Sequence, residues 1–114
     1  MIVLDASVVV ELLTNGRMAN SIRSKLAGEE SILVPHLLDI EVLSAIRRLT
    51  AGQRMDPHRN AQFLMGLAAL PAQRYSHTPL IGRIWELRQN FTCYDAAYIA
   101  LAAMKNYGSD IARA

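Results

Sequence analysis

Short apolar runs alternate along this chain with longer segments in which apolar residues recur every three or four positions. Residues 1–4 form the first run and are followed by Asp5, and residues 32–34 form a second run that Pro35 closes. Entirely apolar runs of this length are typical of strands that are buried on both faces of a parallel sheet. The pattern therefore predicts two central strands, and residues 73–75 form a weaker third one.

The segments between these runs have helical periodicity. The clearest is residues 37–49, which carries an apolar stripe and has Gly52 just past its end. Strands that alternate with helices indicate βαβ units, so we expect an α/β fold, and the length of 114 residues fits a single domain, residues 1–114. The other predicted helices are residues 6–13, 17–26, 57–70, 78–87 and 92–106.

Composition narrows the class of protein. Hydrophobic residues make up 52% of the chain and charged residues 19%, which permits a packed core and disfavours disorder. The single cysteine, Cys93, excludes an intrachain disulfide and fits a reducing cytosol. The first residues include Asp5 and Glu11 and lack a basic start, so they form a poor signal peptide. No apolar run approaches the roughly 18 residues of a membrane span. We expect a soluble, cytoplasmic protein without a membrane partner.

The formal net charge is only +2, but all of the twelve basic residues except Lys25 and Lys105 are arginines. Arginine binds phosphate in a bidentate manner, which suits a nucleic-acid-binding protein, although an arginine-rich genome explains the bias equally well. Each candidate for a phosphate contact can also be explained as part of a solvated helix face. The candidates are Arg47, Arg48, Arg54, Arg59, Arg83 and Arg88.

Three acids lie near the starts of predicted helices. Asp5 directly follows the first strand, and ligands of open α/β sheets bind at the carboxyl ends of strands. Glu41 lies in the first turns of the helix at residues 37–49, and Asp95 ends a Thr-x-x-Asp motif that begins at Thr92. Each acid also has a structural explanation: Asp5 as a helix cap, Glu41 as a favourable charge at a helix start, and Asp95 as part of a capping box.

Asp39 and Glu41 fall at opposite margins of the apolar stripe, because successive helical residues are about 100° apart. They cannot easily face one shared site. Dispersed acids that converge on one place repel one another unless a cation neutralises them. Mg²⁺ and Mn²⁺ prefer carboxylate oxygens and can activate a water for attack on a phosphodiester. The set of Asp5, Glu41 and Asp95 therefore suggests metal-dependent phosphodiester chemistry.

Other chemistries have less support. The chain has no P-loop and no G-x-G-x-x-G motif, so its sequence gives no support to nucleotide binding by a glycine-rich loop. Ser7 stands where an Asp-x-Asp phosphatase motif requires its second acid. The three histidines, His36, His58 and His77, lack the spacing of a zinc site.

Three segments resemble the PIN-domain family, in the form of the VapC-type toxins of toxin–antitoxin pairs. MIVLDASVVVELL resembles the opening with the first acid at Asp5, and PHLLDIEVLSAIRRL resembles the helix with the second acid at Glu41. SHTPLIGRIWELRQNFTCYDAAYIALA is similar to the segment with the third acid at Asp95, and the resemblance extends to about residue 103. It implies a three-layer α/β/α sandwich with a central parallel sheet. By this match, Asp5, Glu41 and Asp95 are catalytic residues and metal ligands.

The same resemblance implies function and partners. It implies dependence on Mg²⁺ or Mn²⁺, endonucleolytic cleavage of structured RNA, a cognate VapB-type antitoxin whose tail blocks the site, and frequent homodimers. The rival interpretation is a degenerate, weakly active or inactive PIN domain that acts as a binding module or is a truncated gene product. A third interpretation is an α/β protein whose acids are all helix caps.

The C-terminal segment departs from the family pattern. In the family, the helix with the third acid leads into an apolar strand that ends in Thr-x-Asp, the fourth acid, whereas MKNYGSDIARA contains no such run. Asp110 is therefore a candidate metal ligand and equally a candidate solvated tail residue. We expect the last strands of the sheet to be missing, which would leave residues 2–4 at an exposed edge. Weak activity and self-association would follow from such an arrangement.

Overall fold

Three parallel strands lie at the centre of the computed structural model, which describes residues 1–106. They are β1 (Ile2–Val3), β2 (Ile32–Pro35) and β3 (Gln73–Tyr75), and their order in the sheet is β1-β2-β3. Within the described residues β1 therefore pairs only with β2, as an edge strand. The parallel sheet that the apolar runs predict is confirmed.

Six α-helices flank this sheet within the described part of the chain. The predicted helix at residues 57–70 begins as a 3₁₀ turn, Pro57–Arg59, and the predicted helix at residues 78–87 begins as a second one, Thr78–Leu80. No helix among residues 1–106 is long and apolar enough to cross a membrane. The six helices are α1 (Ala6–Leu13), α2 (Ala19–Ala27), α3 (Leu37–Ala51), α4 (Asn60–Ala68), α5 (Ile81–Glu86) and α6 (Cys93–Asn106).

The helices pack on both faces of the sheet. Successive side chains of a strand point to opposite faces, so neighbouring residues of β2 enter different cores. Val34 of β2 packs in a core with residues of α1, α3 and α4, including the fully buried Val42. Leu33 packs in a second core, which contains Tyr75 of β3 and Leu101 of α6. The α/β sandwich that the sequence predicts is confirmed, and the sheet is its middle layer.

Candidate metal-binding site

Asp5 lies just beyond the carboxyl end of β1 and caps α1. Its Oδ1 atom accepts hydrogen bonds from the backbone N–H of Val8 at 3.1 Å and from the hydroxyl group of Ser7 at 2.7 Å. The capping role that the sequence suggests is therefore present. Both hydrogen bonds go to the same oxygen of this exposed residue, so its Oδ2 atom accepts none from residues 1–106. Capping and ligand binding can use different oxygens of this one carboxylate.

Glu41 lies on α3, which follows the carboxyl end of β2, and it contacts α6. Its Oε1 atom accepts a hydrogen bond of 2.6 Å from the hydroxyl group of Tyr98. Tyr98 is buried, whereas Glu41 is half-buried. The bond fixes the orientation of the Glu41 carboxylate and leaves its Oε2 atom without a hydrogen bond from the described residues.

Asp95 lies in the first turn of α6, where Thr92 provides the cap. The backbone N–H of Asp95 donates to Oγ1 of Thr92 at 3.1 Å, which is one half of a capping box. The other half, a bond from the backbone N–H of Thr92 to the Asp95 carboxylate, is not formed in the described structure. The Asp95 carboxylate is exposed and takes no part in the cap.

The Tyr98 hydroxyl group lies within electrostatic reach of all three acids. Burial raises the pKa of Tyr98 most, followed by its hydrogen bond to Glu41 and by the negative charges of Glu41, Asp5 and Asp95. These three acids come from separate parts of the chain, yet their charges act on a single hydroxyl group. Asp5 follows β1, Glu41 lies on the helix that follows β2, and Asp95 lies one turn before Tyr98 on α6, so the three acids lie near the carboxyl ends of the strands.

Asp39 differs from these three acids because its carboxylate is engaged in an ion pair within the fold. Nε and Nη2 of Arg74 donate to its two carboxylate oxygens at 2.8 and 2.9 Å, and Nη2 also donates to the backbone carbonyl of Leu67 at 3.0 Å. This bidentate pair ties α3 to β3 and raises the pKa of Arg74, chiefly through the hydrogen bonding. By contrast, the carboxylates of Asp5, Glu41 and Asp95 form no ion pair with the described residues.

The donor chemistry of these three acids fits a hard divalent cation, since each retains a carboxylate oxygen without a hydrogen bond from residues 1–106. In the same residues, no three Asp, Glu, His or Cys side chains lie close enough to form a ready-made metal cluster. Three like charges without a counterion repel one another, which opposes close approach. Mg²⁺ commonly keeps several of its waters, so carboxylates that surround it need not all contact it directly.

Tyr98 is the site residue that the sequence reasoning missed. It lies three residues after Asp95 on α6, and residues at this spacing share a helix face. A tyrosine within the mostly apolar segment that follows Asp95 is a polar group in need of a partner, and this was the available signal. Asp110, the fourth candidate ligand, lies outside the described residues.

Comparison with known proteins gives the same family over nearly the whole chain. A family model described as "PIN domain" matches residues 2–112. Ribonuclease VapC9 of Mycobacterium tuberculosis is 39% identical over 106 residues, which cover 93% of this chain and 80% of that protein. Ribonuclease VapC12 of the same organism is 35% identical over 102 residues, covering 90% and 78%. Ribonuclease VapC1 is 42% identical over 102 residues, covering 88% and 76%.

Proposed function

This chain belongs to the PIN-domain family, and we propose that it is a metal-dependent endoribonuclease toxin of a VapBC-type toxin–antitoxin system that cleaves structured RNA. Its relatives are named VapC ribonucleases, and a hydrolase that acts on RNA is the function their names support. One structural observation carries the proposal for this chain. Glu41 is hydrogen-bonded to Tyr98, which lies one turn after Asp95 on α6, and none of the carboxylates of Asp5, Glu41 and Asp95 forms an ion pair with a described basic side chain.

In this proposal, Asp5, Glu41 and Asp95 hold Mg²⁺ or Mn²⁺ and act as the catalytic residues. Such a cation, when bound, neutralises phosphate charge and lowers the pKa of an attacking water. The protein's own contribution is to orient the carboxylates that would hold the cation. Ser7 and the start of α1 fix the Asp5 carboxylate, and Tyr98 fixes that of Glu41, so two ligands are positioned by existing hydrogen bonds. Asp110 remains a further candidate ligand.

The partner proposal comprises an RNA substrate, a VapB-type antitoxin and a second copy of this chain. An apolar groove of 390 Å³ lies beside α5 and α6, and Trp85 and Tyr94 in it are 61% and 60% exposed. Exposed apolar surface of this kind often marks a protein contact, which supports a protein partner. An RNA substrate and the single cysteine suit the cytoplasm, and residues 1–114 form one PIN-like domain in this proposal.

The replacement of Glu41 by Gln tests this assignment, with Asp39→Asn as the matched control on the same helix. Gln can still accept the Tyr98 hydrogen bond, so Glu41→Gln removes charge with little change of shape. We expect it to lower RNA cleavage in Mn²⁺ by at least the roughly 10- to 100-fold that loss of an outer-shell metal partner costs. Asp39→Asn should keep most of the cleavage and lose up to about 1 kcal/mol of stability through the Arg74 pair.

The assay compares initial cleavage rates of a stem-loop RNA in Mn²⁺ and in EDTA, beside thermal unfolding of each variant. Cleavage that persists in EDTA would contradict metal dependence. Equal and large losses in Glu41→Gln and Asp39→Asn would contradict the placement of the site. No cleavage by the unchanged chain would favour the inactive binding module.

A further inference from the structure

Arg48 is a basic residue that lines the surface on both sides of Glu41. It lies seven residues after Glu41 on α3, which is about two helical turns, so both residues are on the same side of the helix. Two clefts flank Glu41, one of 410 Å³ beside Ser7 of α1 and one of 270 Å³ beside Tyr94 of α6. Arg48 and Glu41 are the two residues that line both clefts.

The Arg48 guanidinium is available for an external anion. Its side chain is exposed and makes neither an ion pair nor a hydrogen bond with residues 1–106. This differs from Arg74, whose guanidinium is fully engaged with Asp39 and Leu67. An arginine that borders the Glu41 carboxylate without pairing to it can attract a polyanion that the carboxylate alone would repel.

A second arginine, Arg54, reaches the larger cleft because of the turn that ends α3. The backbone N–H of Arg54 donates to the carbonyl of Leu49 at 2.9 Å, and that of Gln53 donates to the carbonyl of Thr50 at 3.0 Å. This is a Schellman motif, and Gln53 adopts its left-handed position with φ of 59°. The turn directs the chain back along α3, and Arg54 then lines the same cleft as Arg48 and Glu41.

We propose that Arg48, assisted by Arg54, binds a phosphate of the RNA backbone next to the one that is cleaved. The planar guanidinium matches two phosphate oxygens, and phosphate contacts set the position of a nucleic acid without reading its sequence. This inference rests on the proposed ribonuclease function and adds the residue that holds the substrate over the carboxylates. It also assigns the main phosphate contact to Arg48, whereas the sequence alone gives no reason to prefer one exposed arginine over another.

Arg48→Ala tests the inference, and Arg47→Ala is its matched control. Arg47 is the adjacent exposed arginine on α3, but it lines a different cleft with Leu43 and Leu64. Both variants lose the same charge from the same helix. Binding of a fluorescent stem-loop RNA is measured in EDTA, where cleavage is absent, over a series of salt concentrations. Cleavage of the same RNA is measured in Mn²⁺, and thermal unfolding controls for folding.

We expect Arg48→Ala to weaken RNA binding about 10- to 100-fold, the effect of one charge-assisted contact. The slope of log affinity against log salt should fall by roughly 0.7 to 1. Arg48→Lys should keep the slope but regain only part of the affinity, since lysine lacks the bidentate fork. Arg47→Ala should bind and cleave like the unchanged chain, and all three variants should unfold at its temperature.

Equal effects of Arg47→Ala and Arg48→Ala, or no RNA binding by the unchanged chain in low salt, would overturn the inference. The two proposals fail separately. If the unchanged chain cleaves RNA and Arg48→Ala has no larger effect than Arg47→Ala, the arginine contact is wrong and the ribonuclease function stands. If RNA binding depends on Arg48 but the chain does not cleave RNA in Mn²⁺, the ribonuclease function is wrong and the phosphate contact stands.

Discussion

Among the single residues, Tyr98 connects the core of the protein with the candidate metal site. Its ring is buried in the core that α1, α3 and α4 form, and its hydroxyl group donates to Glu41. Burial and the carboxylates raise the pKa of Tyr98 further above its ordinary value of 10.0, so the hydroxyl group of the folded protein keeps its proton even in moderately alkaline solution. Tyr98 is thus a permanent hydrogen-bond donor, and its role is to position Glu41.

Tyr98→Phe should reduce Mn²⁺ affinity and cleavage, because the half-buried Glu41 carboxylate loses the group that orients it. Leaving that carboxylate without its donor should also cost about 1–3 kcal/mol of unfolding free energy. The raised pKa gives this difference a pH dependence. It is fully present below the unfolded-state pKa of 10.0 and is lost as pH rises beyond it, because only the unfolded state then releases the proton.

Urea unfolding of the metal-free protein and of Tyr98→Phe, at several pH values from 7 to 11, measures that difference. The two free energies of unfolding should approach each other as the pH rises above 10. A constant difference across this range would contradict the role of Tyr98 as a protonated donor to Glu41.

Among the elements of the fold, α6 begins with one residue that stabilises the helix and another that serves the proposed metal site. The cap depends on the Thr92 hydroxyl group, whereas the Asp95 carboxylate faces solvent. Thr92→Ala should therefore cost about 1 kcal/mol of stability, the usual value of a lost cap, and leave cleavage largely intact. Asp95→Asn should show the reverse, with a small loss of stability and a large loss of cleavage. If Asp95→Asn instead loses about 1 kcal/mol of stability and keeps full cleavage, Asp95 serves the helix start and not the chemistry.

The elements themselves could largely be predicted from the sequence, since apolar periodicity is a local property. The bounds of α1 and β3 agree with the predicted ones. The end of α3 does not, because the helix continues to Ala51, two residues beyond its predicted end. The left-handed turn then falls on Gln53, and Gly52, which would adopt it more easily, keeps φ of −81°. Where a helix ends depends on such competing hydrogen bonds, and periodicity alone does not resolve them.

At the scale of the whole molecule, the candidate site depends on pairings that are distant in sequence. Glu41 and Tyr98 are 57 residues apart, and Asp39 and Arg74 are 35 residues apart. The sequence indicated that Asp39 and Glu41 point in different directions, because this follows from helix geometry. It could not indicate which partner each acid meets, because that depends on the side chains that β3 and α6 bring to α3 in the folded chain.

We propose that Asp5, Glu41 and Asp95 together bind a divalent cation. The most direct test is the thermal stability of the RNA-free chain during titration with Mn²⁺, compared with Asp5→Asn. Asn caps helices as well as Asp does, so this variant should fold normally in EDTA. We predict that Mn²⁺ stabilises the unchanged chain, by about 2.7 kcal/mol at a hundredfold excess over its dissociation constant, and stabilises Asp5→Asn far less. Equal stabilisation of both proteins, or none of either, would contradict the claim.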